Sequence, residues 1–171
     1  VDVQQKFMPV IRESEILVWN IRRLIDGAGL FNIPVAATEQ YPQGLGSTVE
    51  PLASLIESPH EKSTFSCREA ADLFHSWASL GVSNIVVTGI ELHVCIQQTA
   101  LDLMAEGFSV FLPVDALSSQ RIEDGEQALI RMRTAGAVTT TTESVLFEWC
   151  DTATDPQFKQ ISTLACEQPP R

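Results

Sequence analysis

The stretch Asn84-Ile-Val-Val-Thr-Gly-Ile-Glu-Leu-His-Val-Cys95 decides how this chain folds. Its first half, Asn84 to Gly89, is short, β-branched and closed by glycine. That pattern predicts a strand buried on both faces. Its second half leads into a helix from about His93 to Glu106, with Val94, Ala100, Leu101 and Met104 as its apolar positions. A buried strand running straight into a helix is one half of a βαβ unit.

The same alternation continues on both sides. Downstream, Ser109–Val114 reads as a strand, Ile122–Ala135 as a helix stopped by Gly136, Ala137–Thr140 as the last strand, and Asp155–Leu164 as a final helix. Upstream, Ser66 is placed to cap a helix running to about Leu80, and Glu69 three residues later completes a capping box. Glu61–Phe65 reads as a short strand or extended loop. Val49–Ile56 is a weak helix, and Gln40–Gly46 has the Pro and Gly content of a loop. Pro34–Thr38 reads as a short buried strand, preceded by an amphipathic helix over Arg12–Leu30. Val1-Asp2-Val3 has the character of the end of a strand, so a first central strand is expected ahead of it and is largely missing from this chain. The whole predicts one α/β domain over residues 1–171, with a parallel sheet covered by helices on both faces.

Composition narrows the function. The formal net charge is −11, and the nearest basic run, Arg131-Met132-Arg133, is too short to form a groove. Nucleic acid is therefore not expected as a partner. No apolar run reaches the roughly 20 residues that a membrane helix needs, and no charged-then-apolar leader is visible. The four cysteines, at 67, 95, 150 and 166, form no CxxC pair, which predicts reduced thiols and a cytoplasmic setting; an organelle such as the mitochondrion stays open. The histidines at 60, 75 and 93 show neither HxH nor HExxH spacing, so no metal site and no cofactor are expected. There is no GxSxG elbow and no phosphate-binding glycine loop.

In doubly wound sheets, ligands bind beyond the carboxyl ends of the strands, where strand order reverses. Asp2, Lys62 and Cys95 fall at such ends. Cys95, at a helix start, is the candidate nucleophile. The helix N-terminus and a nearby Lys62 ammonium predict a depressed thiol pKa and fast alkylation near neutral pH. Asp2 could move the proton, and the backbone N–H groups of Glu91 and Cys95 could hold an oxyanion. The alternatives are bland: Cys95 as a small buried hydrophobe, Asp2 as a strand-end residue, Lys62 as a solvated charge. Cys67 and Cys150 are further nucleophile candidates, although neither follows a strong strand.

Five segments in order carry a resemblance: Val1-Asp-Val-Gln-Gln-Lys-Phe7, Thr38-Glu-Gln-Tyr-Pro-Gln-Gly-Leu-Gly46, Glu61-Lys-Ser-Thr-Phe-Ser66, Thr88-Gly-Ile-Glu-Leu-His-Val-Cys95 with Gln98-Thr-Ala100, and Ala135-Gly-Ala-Val-Thr-Thr140 with Glu143-Ser-Val-Leu-Phe147. Together they resemble the isochorismatase-like cysteine hydrolases, in the isochorismatase domain-containing branch. The resemblance implies a three-layer α/β/α fold with a six-stranded, mainly parallel sheet in order 3-2-1-4-5-6. It also implies a catalytic triad of Asp2, Lys62 and Cys95, and a cis peptide at Ile90-Glu91 that turns the Glu91 N–H toward the oxyanion. Nicotinamidase relatives hold a metal through an Asp-x-His motif after the second strand, where this chain reads Thr38-Glu-Gln-Tyr41; no zinc is expected. The expected activity is metal-independent cysteine hydrolysis of a small amide, ester or related compound. Gln4, Phe7, Tyr41, Phe65 and His93 are candidates for the pocket wall, or for simple packing. A catalytically silent scaffold of the same fold is the alternative, and a nuclease is a weaker one. Assembly as a homo-oligomer is expected because relatives commonly assemble.

Overall fold

The computed structural model describes residues 1–170. Five short strands form: β1 (Thr38–Gln40), β2 (His60–Lys62), β3 (Asn84–Val86), β4 (Ser109–Pro113) and β5 (Val138–Thr140). β1 and β2 pair in parallel, as do β3 with β4 and β4 with β5. The two groups are joined at one end by Val1–Asp2. Asp2 N–H donates to the Thr38 carbonyl at 3.1 Å on one side, and Ile90 N–H donates to the Val1 carbonyl at 3.1 Å on the other. Across the molecule the order is β2, β1, Val1–Asp2, β3, β4, β5. At Asp2 the backbone enters the left-handed region (φ 55°) and turns out of the sheet.

The alternation of side chains along β3 builds the layers. Ile85 and Val87 face one core with α3 (Ala71–Ser79), α4 (Gln97–Ala105) and α5 (Ile122–Ala135), through Phe74, Ala100, Leu103, Ala128 and Met132. Val86 faces the other core with α1 (Ser14–Leu30) and α6 (Thr142–Cys150), through Leu17, Ile21, Leu24 and Val145. The remaining α-helices are the short turn α2 (Pro42–Leu45) and α7 (Phe158–Ala165), which packs Ile161 against Leu146 and Cys150 of α6. The fold is thus α/β with helices on both faces of a parallel sheet.

Several expectations change in detail. The helix expected over Val49–Ile56 is only a 3-10 turn, Leu52–Leu55, behind a cis Glu50–Pro51 bond. The helix after Ser66 opens as a 3-10 turn, Cys67–Ala70. Ser66 caps it by accepting from Arg68 N–H, but Glu69 does not close the box. Its carboxylate instead accepts from the Ser63 and Thr64 N–H groups and the Ser63 hydroxyl, tying down the turn after β2. Gln40–Gly46, read as loop, contains the helical turn α2, started by Pro42. Helix α6 had no counterpart in the sequence reading.

Candidate active site

Asp2, between β1 and β3, Lys62, at the end of β2, and Cys95, after β3, come together. All three are almost fully buried, at 1%, 5% and 4% exposure. Lys62 Nζ donates to Asp2 Oδ2 at 2.6 Å, to Gln40 Oε1 at 2.8 Å and to the Phe65 carbonyl at 2.9 Å. The Thr64 carbonyl, at 3.2 Å, is a fourth acceptor, so the three protons of the ammonium are fully used. The other Asp2 oxygen accepts from the Thr38 hydroxyl at 2.8 Å. The Cys95 thiol is near enough to the Asp2 carboxylate and the Glu91 backbone N–H for both to act on its ionisation.

Local structure places each group. Asp2 sits where the chain leaves the sheet. Gly89 (φ 117°) makes room for it: a Cβ there would lie 2.1 Å from the Val1 carbonyl oxygen. Cys95 lies in a single π turn, Leu92–Ile96, that leads into α4. The Ile90–Glu91 peptide bond ahead of that turn is cis.

The electrostatics correct one expectation. The Cys95 thiol is pushed up to about 12 rather than depressed. Burial is the largest cause, and the Asp2 carboxylate, by its charge and its hydrogen bond, adds to it; Lys62 and the Glu91 N–H pull the other way and lose. Cys95 at rest is therefore a thiol, near the Asp2 side chain.

Gln4 is fully buried, and its amide is committed to backbone: Nε2 donates to the Gln40 and Gly46 carbonyls, and Oε1 accepts from Gln40 N–H. It clamps the end of β1. Phe7 is half-buried against the α1 core. Tyr41 and Phe65 are exposed, at 61% and 53%, in the segments following β1 and β2. His93 is half-buried, with Nδ1 at 3.3 Å from Ser119 Oγ and 3.6 Å from Glu91 Oε2. Cys67 is buried with its sulfur 3.7 Å from the Thr38 hydroxyl, and Cys150 is buried under α6, where its thiol contacts the Thr152 carbonyl. Among the described residues, no three His, Cys, Asp or Glu side chains are placed to hold one metal ion.

Thr38 and Gln40 are the site residues that the sequence reading passed over. They lie two apart on a strand, so both point the same way, toward Asp2 and Lys62, while Glu39 between them turns away to accept from Thr48 N–H and its hydroxyl. Period two along Thr38-Glu-Gln40 was the available signal.

The fold is thus a parallel α/β sheet with a buried Cys, Asp and Lys gathered where its strands end. Residues 1–144 match the isochorismatase domain, and the chain belongs to that family. Isochorismatase domain-containing protein 1 of Danio rerio is 40% identical over 168 residues, covering 95% of this chain. The chain spans 58% of that relative's length. Among solved structures, a MAR1 ribonuclease from Caenorhabditis elegans superimposes with a TM-score of 0.91 at 35% identity, covering 99% of this chain and 88% of the other. The octameric YcaC hydrolase of unknown specificity from Escherichia coli superimposes at 0.85 and 24% identity, covering 95% and 82%, and shares the fold. Among the described residues, no helix is long and apolar enough to cross a membrane.

Proposed function

We propose that the protein is a metal-independent cysteine hydrolase acting on a small amide, ester or related acyl compound. The observation that carries this reading is the buried cluster of Cys95, Asp2 and Lys62, in which a thiol lies near a carboxylate hydrogen-bonded to an ammonium. Such an arrangement costs stability unless every member is paired, and it suits proton transfer.

The chemistry follows from the protonation states. As the substrate carbonyl approaches, the Cys95 S–H proton passes to Asp2 and sulfur bonds to the carbonyl carbon. The N–H groups of Glu91 and Cys95 hold the oxyanion. Protonated Asp2 then gives its proton to the leaving amine or alkoxide as the C–N or C–O bond breaks, leaving a thioester. A water loses its proton to Asp2, attacks the thioester carbonyl and releases the acid; the sulfur takes the proton back. Throughout, Lys62 keeps the carboxylate oriented, while Thr38 and Gln40 hold the carboxylate and the ammonium in place.

In this reading Tyr41, Phe65 and His93 form the rim of the site, and the chain assembles as a homo-oligomer. The name of the C. elegans relative favours ribonuclease activity as a second reading. Against it stand the charge of −11 and a reacting centre with one lysine, already paired. The test is a panel of small amides and esters with single-stranded RNA alongside, and Cys95→Ala as the blank. Turnover of a small acyl compound that disappears in Cys95→Ala and in Asp2→Asn supports the proposal. Turnover that survives Cys95→Ala, or cleavage of RNA alone, sinks it.

A further inference from the structure

The charges around Cys95 do not balance. Among the described residues, Lys62 and Arg23 are the only buried cations. The Lys62 ammonium is already spent, on the Asp2 carboxylate and on the neutral oxygens of Gln40, Thr64 and Phe65. Arg23 is spent on Asn20 and on the end of α7. Arg22 is paired with Asp26 and Glu167, and the other described lysines and arginines are exposed. No buried cation is left over to meet a charged substrate.

The turn that carries Cys95 adds negative charge. Glu91 lies just ahead of it and is half-buried. Its carboxylate accepts from Gln120 N–H at 3.2 Å and lies 3.6 Å from His93 Nδ1. His93 Nε2 in turn lies 3.9 Å from Asp124 Oδ2, in the first turn of α5. Two carboxylates thus face one imidazole, and the group stays negative whether His93 is protonated or not. Around Lys62 the neighbours are aromatic instead. Tyr41 N–H donates to the Lys62 carbonyl, the Phe65 carbonyl accepts from its ammonium, and both rings are exposed. One group acts in the opposite sense, the Glu91 N–H, which favours negative charge at the Cys95 sulfur. A donor of that kind suits the charge that develops on a reacting carbonyl oxygen. A second, permanent carboxylate on the substrate finds no partner, and removing it from water without one is costly.

We infer that the Cys95 site discriminates against negative charge, so that its substrates are neutral or cationic acyl compounds and those bearing a carboxylate are rejected. As a statement about substrates this rests on the hydrolase reading above; as a statement about the field at Cys95 it stands by itself. A neutral amide or ester needs only the thiol, the Asp2 carboxylate and the oxyanion donors. A cationic tail gains from Glu91 and Asp124, and the exposed faces of Tyr41 and Phe65 suit it as well. A carboxylate tail meets the same groups with the opposite sign. The net charge of −11 on the chain acts in the same direction at longer range.

The test compares two alkylating reagents of the same size, neutral iodoacetamide and anionic iodoacetate. Both join carbon to a thiolate sulfur and release iodide. Their rates at Cys95 are read at about pH 9 by mass spectrometry of tryptic peptides, each divided by its rate with N-acetylcysteine amide, a free uncharged thiol. At Cys95 the preference for iodoacetamide should exceed that of the free thiol by at least about tenfold, the effect of one like charge within a protein site. Glu91→Gln, with unchanged far-ultraviolet circular dichroism, should cut the preference by about threefold or more. Asp2→Asn, which leaves the Lys62 ammonium without its carboxylate, should cut it further. A preference equal to that of the free thiol, or one that Glu91→Gln leaves unchanged, overturns the inference. Alkylation needs no turnover, so this failure is distinct from that of the hydrolase reading, which shows as no Cys95-dependent turnover across the amide and ester panel. Within that panel, succinamate should be hydrolysed at least about tenfold less efficiently than butanamide, which differs from it by the charged tail. Faster hydrolysis of succinamate also overturns the inference.

Discussion

At Cys95 two opposed influences meet, and burial beside Asp2 outweighs the Lys62 ammonium, leaving the thiol protonated up to about pH 12. Iodoacetamide should therefore label Cys95 slowly at pH 7, with a rate that keeps climbing well past the ordinary thiol range near pH 9; exposed Cys166 should label first. Mass spectrometry of tryptic peptides over a pH series reads this directly, and half-maximal labelling of Cys95 near pH 7 would contradict it. The raised value also sets a stability window. Its contribution is complete below pH 9, the value in the unfolded chain, and is lost as pH rises toward 12. At the neighbouring pair, Lys62→Met leaves the buried Asp2 carboxylate without its cation and should cost about 3–5 kcal/mol in urea unfolding. The double change Asp2→Asn with Lys62→Met should recover part of that loss. The convergence of Asp2, Lys62 and Cys95 in space was legible in the sequence because each follows a strand in a parallel sheet. The protonation state was not, because it depends on how completely the surrounding side chains exclude water, which no spacing of residues encodes.

Among the elements, β2 and the turn after it depend on Glu69. Its carboxyl is held down to about 2, below the ordinary 4.5, first by the backbone N–H groups of Ser63 and Thr64 and then by the Ser63 hydroxyl. A depressed carboxyl contributes above pH 4.5 and stops contributing as pH falls through 2. Hydrogen exchange at the Ser63 and Thr64 amides should therefore show their protection fading across that interval, and Glu69→Gln should remove the dependence. Helix α7 is tied to α1 by Arg23. Its guanidinium lies 4.3 Å above the Trp19 ring and donates to the Leu164 and Ala165 carbonyls at the end of α7. Arg23→Met leaves those carbonyls unmatched and should lower stability by about 1–3 kcal/mol; a change below the error of urea unfolding would show that the tie is dispensable. Most elements were visible in hydrophobic period, and α5 runs over the predicted Ile122–Ala135. Helix α6 was not visible. Val145, Leu146, Trp149 and Cys150 share one face, packed against α1 and α7, but the helix is only nine residues long and the exposed Phe147 blurs its apolar stripe in the sequence. The strand expected over Pro34–Thr38 is displaced in the structure to Thr38–Gln40, where parallel pairing with β2 carries it into a residue read as loop.

Over the whole molecule, the charge of −11 acts as a self-repulsion that dissolved salt relieves. Raising ionic strength from about 0.01 to 0.15 M shortens the screening length from about 30 to 8 Å. Tm should rise by about a few degrees over that interval, read by differential scanning calorimetry. A fall would mean that attractive pairs such as Arg22 with Asp26 and Glu167 dominate instead. The family was legible in the order of five short segments, although no single one would have sufficed. One further property follows from where Asp2 finds its partners. Thr38 is 36 positions away and Lys62 is 60, with Cys95 further still. Contacts of such sequence separation form late, because the intervening loops must close first. Burial of the Cys95 thiol is thus a clock for the last events of folding: in a refolding jump, helical circular dichroism should return while a pulse of alkylating reagent still reaches Cys95.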